Sequence, residues 1–471
     1  MIGDATLTHI EGQQVVVVGL ARQGVAAAQW LATHGAQVTA TDLRGADALR
    51  AGIMAMATLP VSYALGEHPL ALLDRADLLC VSGGVPLDMP LVVEAQARGI
   101  PLTNDAQLFM ERCPAPVIAI TGSAGKTTTT ALVGAMCAQT GVPTWVGGNI
   151  GRVLIGALNN IRPSDYVVME LSSFQLELMT LSPHVAAVLN ITPNHLDRHG
   201  SMPAYTEAKA QILRHQRAGD VAVLGRDDPG ARAVASETAG SVWWFSAEGA
   251  AAPGAYLDGD TLKLALPGQA AATICARADV RLRGPHNLLN VLAACAIAGA
   301  ASVPAEAMRR AIVSFTGIEH RLEPVATING VQWVNDSIAT APERAMAALR
   351  SYDEPIVLLA GGRDKKLPWE AFSALAVEKV RHLIAFGEAG AMIAGHVEHE
   401  WREGARENTK LEVVEVVPDL ATAVARAAAA AQPGEVVLLS PGGTSFDAYA
   451  DFAARGAHFR DLVAHLVPSG Q

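Results

Sequence analysis

The sequence predicts an α/β protein made of three consecutive α/β domains. Three observations carry this prediction. Short runs such as Gln14–Gly19 (QVVVVG) and Tyr166–Leu171 (YVVMEL) are too uniformly apolar for half-exposed strands and read as buried parallel ones. Many of these runs lead directly into glycine, as a parallel strand does where it turns towards a helix or a ligand. The chain has 471 residues, more than one hydrophobic core ordinarily organises, and no repeat of 20–50 residues is found.

The first domain, residues 1–104, opens with the strand Gln14–Gly19. A helix over Ala21–His34, stopped by Gly35, and a strand Gln37–Thr41 leading into Asp42 complete a Rossmann-like βαβ unit. Ala76–Ser82 is a further strand, running into Gly83 and Gly84. The central domain, residues 105–316, starts its sheet at Val117–Ile120, followed by TGSAGKTTTT and a helix to about Gln139. Its other strands are Tyr166–Leu171, Val185–Asn190, Val221–Leu224 and Ser241–Ser246. Ala247–Gly268, rich in Gly, Ala and Asp, reads as a loop or hairpin insertion, and Asn287–Gly299 as an alanine-rich helix. The third domain, residues 317–471, is again Rossmann-like, with strands Pro355–Ala360, His382–Phe386, Leu411–Val417 and Glu435–Leu439 and a helix over Ala421–Ala431. Three of these strands meet Gly361-Gly362, Gly387 and Gly442-Gly443.

Half of the residues are hydrophobic and 17% are charged, which excludes a disordered chain. The net charge of −11, with no visible basic face, argues against a nucleic-acid partner. The same acidic balance means that an anionic ligand must be held locally, by glycine loops, lysines and metal ions. Cys80, Cys113, Cys137, Cys275 and Cys295 are odd in number and form no CxxC pair, which fits a reducing compartment rather than a disulfide scaffold. No signal-type segment and no apolar stretch of about twenty residues is seen, so a cytoplasmic protein without membrane insertion is expected.

Residues 121–128, TGSAGKTT, stand between a predicted strand and a predicted helix. Backbone N–H groups of such a loop cradle phosphate oxygens, a lysine at Lys126 neutralises the β- and γ-phosphates, and the Thr127 hydroxyl is a donor for Mg²⁺. The common pattern has a glycine where Ile120 stands. This shortened loop resembles that of the Mur ligase family and of the related folylpolyglutamate synthases, which usually carry asparagine at the position of Ala124. Four further strings extend the resemblance: GGNIG (147–151), ELSSFQLE (170–177), NHLDRHG (194–200) and YTEAKAQI (205–212). Together they are similar to the glutamate-adding branch of the Mur ligases, over essentially all of residues 12–465.

The resemblance implies a site. Lys126, Glu170, His195 and Lys209 would be catalytic, with Thr127 and Glu170 serving one Mg²⁺ and His195 and a carbamylated Lys209 a second. Carbon dioxide on a neutral amine gives an oxygen donor suited to a hard metal. ATP would be bound by Gly122, Ser123, Ala124, Gly125, Lys126, Thr127 and Thr128. Asn287 and Asn290 of GPHNLLN, His320 and Arg321 of IEHRLE, and Asp336 of VNDSIAT would join them. The UDP-muramoyl substrate would meet Arg22, Gln23, Asp42, Arg44, Gly84, Asn149, Ser172 and His195. Glutamate would meet Thr340, Lys365 (with Arg363 and Lys366 nearby), Ser445, Phe446 and Phe452. The chain departs from the family pattern at Asn194, where aspartate is usual, at Ile338, where lysine is usual, and at Ala341, where asparagine is usual.

The implied activity is that of a monomeric, ADP-forming acid–amino-acid ligase of peptidoglycan precursor synthesis. It would add D-glutamate to UDP-N-acetylmuramoyl-L-alanine through an acyl phosphate, with ATP, two Mg²⁺ ions and CO₂, bound as the lysine carbamate, as cofactors. An L-glutamate-adding variant is the alternative within the family. The turn Gly19-Leu-Ala-Arg-Gln-Gly24 with Asp42 also leaves an NAD(P)-dependent oxidoreductase open, although such an enzyme has no need of the second-domain phosphate loop. A non-catalytic nucleotide-binding scaffold is a third class. Folylpolyglutamate synthase has no need of the opening domain.

Overall fold

The structure is a computed structural model and describes residues 10–403 and 409–466; the outermost residues of the expected first and third domains lie outside these. Twenty strands among the described residues form three sheets. The first sheet holds β1 (Gln14–Val18), β2 (Gln37–Asp42), β3 (Val61–Leu65), β4 (Leu78–Val81) and β5 (Leu102–Thr103) in the order β3-β2-β1-β4-β5. All its pairings are parallel. Strand order reverses beside β1, so the crevice for a ligand opens where β1 and β4 end, at Gly19 and Ser82–Gly84.

The second sheet comprises β6 (Val117–Thr121), β7 (Thr144–Gly148), β8 (Tyr166–Glu170), β9 (Val185–Val188), β10 (Val221–Gly225), β11 (Ser241–Ser246), β12 (Gly254–Asp258), β13 (Thr261–Ala265) and β14 (Ala272–Ala276). Its order is β14-β13-β12-β11-β10-β9-β6-β8-β7. The strands from β7 to β12 run parallel and the last two are antiparallel. β6 is flanked by β8 and β9, and the phosphate loop leaves its carboxyl end between them. The third sheet, β15 (Glu323–Ile328), β16 (Val331–Asn335), β17 (Ile356–Gly361), β18 (Val380–Phe386), β19 (Val413–Val417) and β20 (Val436–Gly442), has the order β15-β16-β20-β17-β18-β19. Only the β15/β16 hairpin is antiparallel.

The uniformly apolar strands are explained by burial on both faces. In β17, Ile356, Leu358 and Ala360 enter one hydrophobic cluster and Val357 and Leu359 another; Leu438 and Leu439 of β20 divide the same way. A strand covered by helices on both faces has no polar side to display.

Each strand anticipated from the sequence is present, with ends shifted by a few residues. The stretch expected as a loop or hairpin insertion contains the β12/β13 hairpin, which β14 extends into a three-stranded edge. The strands β3, β5, β7, β14, β15 and β16 were not anticipated. The β15/β16 hairpin turns at Asn329-Gly330, both with positive φ (49° and 77°), the pair that a tight right-twisted hairpin requires.

The chain divides into two compact units. One runs to Arg281 and resumes over Pro285–Phe315, carrying the first two sheets; the other combines Leu282–Gly284 with the chain from Thr316 and carries the third. No helix among the described residues is long and apolar enough to cross a membrane.

Close approach of the helix Arg22–Thr33 to β1 depends on Gly24, where a methyl group would lie 1.8 Å from the Gly19 carbonyl oxygen. Gly24→Ala is expected to destabilise the protein by about 1–3 kcal/mol through overpacking. Gly45→Ala, where an added methyl meets nothing within 4 Å, is the control. Thermal melting of the two variants checks this; equal melting temperatures would contradict it.

Candidate active site

The phosphate loop leaves β6 at Thr121. Gly122 (φ 158°) and Gly125 (φ 83°) adopt backbone conformations that side chains disfavour, and Gly125 caps the helix Lys126–Ala138. Asn190, at the end of β9, clamps the loop at Ala124. Its Oδ1 accepts from the Ala124 N–H (2.8 Å) and its Nδ2 donates to the Ala124 carbonyl (3.2 Å). The Ser123 hydroxyl donates to the Thr192 carbonyl (2.9 Å) and meets the Tyr205 hydroxyl (3.1 Å). Thr127 is half-buried and Thr128 buried at the start of the helix. Asn290 packs onto the loop so closely that a methyl group at Gly125 would be 2.2 Å from its Oδ1. The Asn290 amide donates to Asn287 Oδ1 (3.1 Å), so both expected asparagines stand together beside the loop.

Two lysines converge on one carbonyl. Lys126 Nζ donates to the Gly122 carbonyl at 2.8 Å, and Lys209 Nζ, from the helix Met202–Arg214, donates to the same oxygen at 3.0 Å. Lys209 is 1% exposed, with its ammonium 4.6 Å from the centre of the Tyr205 ring. Burial first, and then the charge of Lys126, brings its pKa down to about 7, although Glu170 acts in the opposite sense. A substantial fraction of Lys209 is therefore a neutral amine near neutral pH.

Glu170 ends β8, beside β6. It is 2% exposed; Oε1 accepts from Asn149 Nδ2 (2.9 Å), while Oε2 is buried without a hydrogen-bond partner. A buried carboxylate oxygen left unpaired is costly unless a cation completes it. With the Thr127 hydroxyl at the start of the helix that follows the phosphate loop, this donor set fits a hard cation such as Mg²⁺. No group of three or more His, Cys, Asp and Glu side chains able to hold a metal occurs among the described residues. The expected set contains only two residues of that kind, Glu170 and His195. His195 has a left-handed backbone (φ 52°), is exposed, and sets its ring edge-on to Phe174 at 5.3 Å.

GGNIG joins Glu170 to the first domain. The Asn149 N–H donates to the Glu170 carbonyl (2.9 Å), and Arg22 donates to the carbonyls of Asn149 (3.0 Å) and Gly151 (2.9 Å). At the mouth of β2, Asp42 accepts from the Leu20 N–H (2.7 Å) and from Arg44 (2.8 Å). Burial opposes the charge of Asp42, but Arg44 and the two backbone N–H groups more than offset this and hold its pKa at about 2. Gln23 lies beside Gly83, and Ser172 is the N-cap of the helix Ser173–Leu176, in a reciprocal pair with Gln175. The Gly84 carbonyl accepts from Arg198, whose guanidinium also lies over the Phe174 ring at 4.4 Å.

In the second compact unit, Lys365 Nζ donates to the Thr340 hydroxyl (3.2 Å), and both stand beside the carboxyl ends of β16 and β17. Ser445 is buried and Phe446 is 61% exposed. The Phe452 carbonyl accepts from Ser337, and its ring stands edge-on to His320 at 6.2 Å. His320, anticipated at ATP, is buried between Asn335, which contacts its Nδ1 at 3.0 Å, and Gly456, and its side chain is an internal packing element of this unit. Arg321 is half-buried. Asp336 is buried and accepts from the Ser440 hydroxyl (2.8 Å) and the Leu322 N–H (3.2 Å).

Family models match nearly the whole chain: the Mur ligase MurD-like N-terminal domain over residues 13–104, the Mur ligase middle domain over 120–298 and the Mur ligase glutamate ligase domain over 320–443. The chain belongs to the Mur ligase family. As a Mur ligase it is an ATP-dependent, amide-bond-forming enzyme with a general requirement for Mg²⁺. It is 41% identical over 456 residues to the UDP-N-acetylmuramoylalanine–D-glutamate ligase of Symbiobacterium thermophilum, covering 96% of this chain and 98% of that protein. It is 40% identical over 468 residues to the ligase of the same name from a Roseiflexus species, covering 97% and 99%. Among solved structures, the UDP-N-acetylmuramate–alanine ligase of Thermotoga maritima superposes with a TM-score of 0.58 at 18% identity, over 96% of this chain and 99% of that one. MurF from Acinetobacter baumannii gives 0.56 at 20%, over 97% and 91%. These two share the three-domain fold.

Several residues of this Mur ligase that shape the site were not singled out from its sequence. Asn190 was read only as the end of a strand, although a polar residue closing the apolar run VAAVLN was a usable signal. Tyr205 opens the string YTEAKAQI, but nothing in the sequence marks its contact with Ser123. Arg455, fully buried, donates to Ser337 (3.0 and 2.9 Å) and to the Gly443 carbonyl (3.2 Å), fastening two of the loops that carry expected glutamate residues.

Burial lifts the Asp336 carboxyl to about 7, although its hydrogen bonds from Ser440 and Leu322 and the charges of Arg321 and Arg344 favour the anion. The pKa is raised in the folded state, so the stabilisation is complete below about pH 4 and is lost as the pH rises to about 7. Asp336→Asn stays neutral throughout. Its stability relative to the parent is therefore expected to rise between about pH 4 and 7 and then level off, as measured by urea unfolding at successive pH values. A difference independent of pH would contradict this.

Proposed function

We propose that this Mur ligase adds D-glutamate to UDP-N-acetylmuramoyl-L-alanine in peptidoglycan precursor synthesis, forming ADP and phosphate. The observation that carries the reading is the convergence of Lys126 and Lys209 on the Gly122 carbonyl beside the half-satisfied carboxylate of Glu170. Near full-length similarity to relatives named for this activity supports the choice of substrate.

A carboxylate is a poor electrophile, so the L-alanyl carboxylate first attacks the γ-phosphorus of ATP, breaking its bond to the β,γ-bridging oxygen and releasing ADP. The glutamate amine then attacks the acyl carbon, loses a proton and expels phosphate. In the first step two anions must meet. The loop N–H groups from Gly122 to Thr128 hold the phosphates, and Lys126 swings from the Gly122 carbonyl to the β- and γ-oxygens, offsetting that repulsion. Thr127 and Glu170 would hold one Mg²⁺ and His195 and Lys209 a second, and ions bound there would further neutralise phosphate charge. The neutral amine of Lys209 adds CO₂ and releases a proton, and the resulting carbamate gives this helix an anionic oxygen donor. Asn287, Asn290, Arg321 and Asp336 are assigned to ATP, while His320 positions the segment that carries Arg321. Arg22, Gln23, Asp42, Arg44, Gly84, Asn149, Ser172 and His195 are assigned to the UDP-muramoyl substrate, and Thr340, Lys365, Ser445, Phe446 and Phe452 to glutamate. Residues 1–104, 105–316 and 317–471 are taken as the UDP-sugar, ATP and glutamate domains.

Phosphate release from ATP, with Mg²⁺ and bicarbonate, tests the reading. Release is expected only when UDP-N-acetylmuramoyl-L-alanine and D-glutamate are both present. Coupling to L-glutamate alone, or release that ignores the sugar nucleotide, would overturn it.

A further inference from the structure

We infer that Arg344 is the second cation of the glutamate site, receiving the carboxylate that Lys365 does not. This rests on the reading that the third domain takes glutamate. The short stretch after β16 organises the geometry. The Ile338 carbonyl accepts from the Thr340 N–H (2.9 Å) and from Arg344 Nη1 (3.5 Å), while the Thr340 hydroxyl accepts from Lys365 Nζ (3.2 Å). Two cations from different elements, the helix Pro342–Leu349 and the loop after β17, are thus pinned to one turn, two residues apart.

Neither charge is taken up by a close ion pair, although Glu343 favours the Lys365 ammonium and Asp336 lies within electrostatic reach of Arg344. Arg363, on the same loop as Lys365, pairs with Glu388 at 2.9 Å. Lys365 and Arg344 are both exposed, and neither has a carboxylate within 4.0 Å among the described residues. Arg344 also lies in the first turn of its helix, where the helix dipole disfavours a cation. Two like charges held close together, neither in a direct ion pair, are an arrangement a dianionic ligand completes. Glutamate carries two carboxylates, and the planar guanidinium fork matches a carboxylate in a way a lysine cannot. Burial and the charge of Arg344 both push the Lys365 pKa down, although Glu343 acts in the opposite sense, and this is consistent with the proximity of the two cations.

The test compares D-glutamate with its two monoamides, D-glutamine and D-isoglutamine, each of which neutralises one carboxylate. KM for D-glutamate and competitive Ki for each amide are measured for the parent enzyme, Arg344→Gln, Arg344→Lys and the exposed control Arg350→Gln. Arg344→Gln is expected to reduce the preference for glutamate over one amide by about tenfold to a hundredfold, the scale of a charge-assisted hydrogen bond. Its preference over the other amide and its KM for ATP should hold, and Arg344→Lys should recover part of the loss. A residue that only shapes the helix would weaken all three ligands alike, and that result, or unchanged preferences, would overturn the inference. A parent enzyme that does not use glutamate would overturn the underlying reading, and the inference with it.

Discussion

The active site depends on one carbonyl oxygen. Gly122 offers it to two ammonium groups, from Lys126 at 2.8 Å and Lys209 at 3.0 Å. The loop can point this carbonyl at both lysines because Gly122 and Gly125 take backbone angles that side chains disfavour, and because Asn190, Ser123 and Asn290 fix the loop from three sides. Two cations on one neutral acceptor, in a buried setting, repel each other. That repulsion has two outlets: an anion can enter the loop, or one amine can lose its proton. Lys126, half-buried, is placed for the first, and Lys209, 1% exposed, for the second.

The same crowding links the domains that share the first compact unit. Glu170 is held by Asn149 through both backbone and side chain, and Asn149 is held by Arg22 of the first domain. A residue assigned to the sugar nucleotide is therefore one hydrogen bond from the loop that orients a residue assigned to the metal. Arg22 thus braces the GGNIG loop whose Asn149 holds Glu170.

Much of this was legible in the sequence, and the reasons are physical. TGSAGKTT and GGNIG are contiguous, and their glycines are needed for local backbone geometry, so short strings carry the information. The buried parallel strands could be read because two covered faces leave no place for polar residues. Contacts between distant positions were not readable: Asn190 clamps Ala124 from another strand, and Arg455 bonds Ser337 from more than a hundred residues away. His320 shows the opposite case, a residue marked by its string that the fold uses internally, against Asn335 and Gly456. The β15/β16 hairpin carries a local signal in Asn329-Gly330, but its flanking strands are short and mixed in polarity, so no strand pattern accompanies the turn.

The neutrality of Lys209 is the claim on which the site's chemistry turns, and it can be observed without turnover. Carbon-13 NMR of the protein in labelled bicarbonate near neutral pH detects a lysine carbamate directly. A carbamate resonance that is present in the parent enzyme and absent in Lys209→Arg, whose side chain keeps its proton, is the expected result. No resonance in the parent, or one that survives Lys209→Arg, would contradict it.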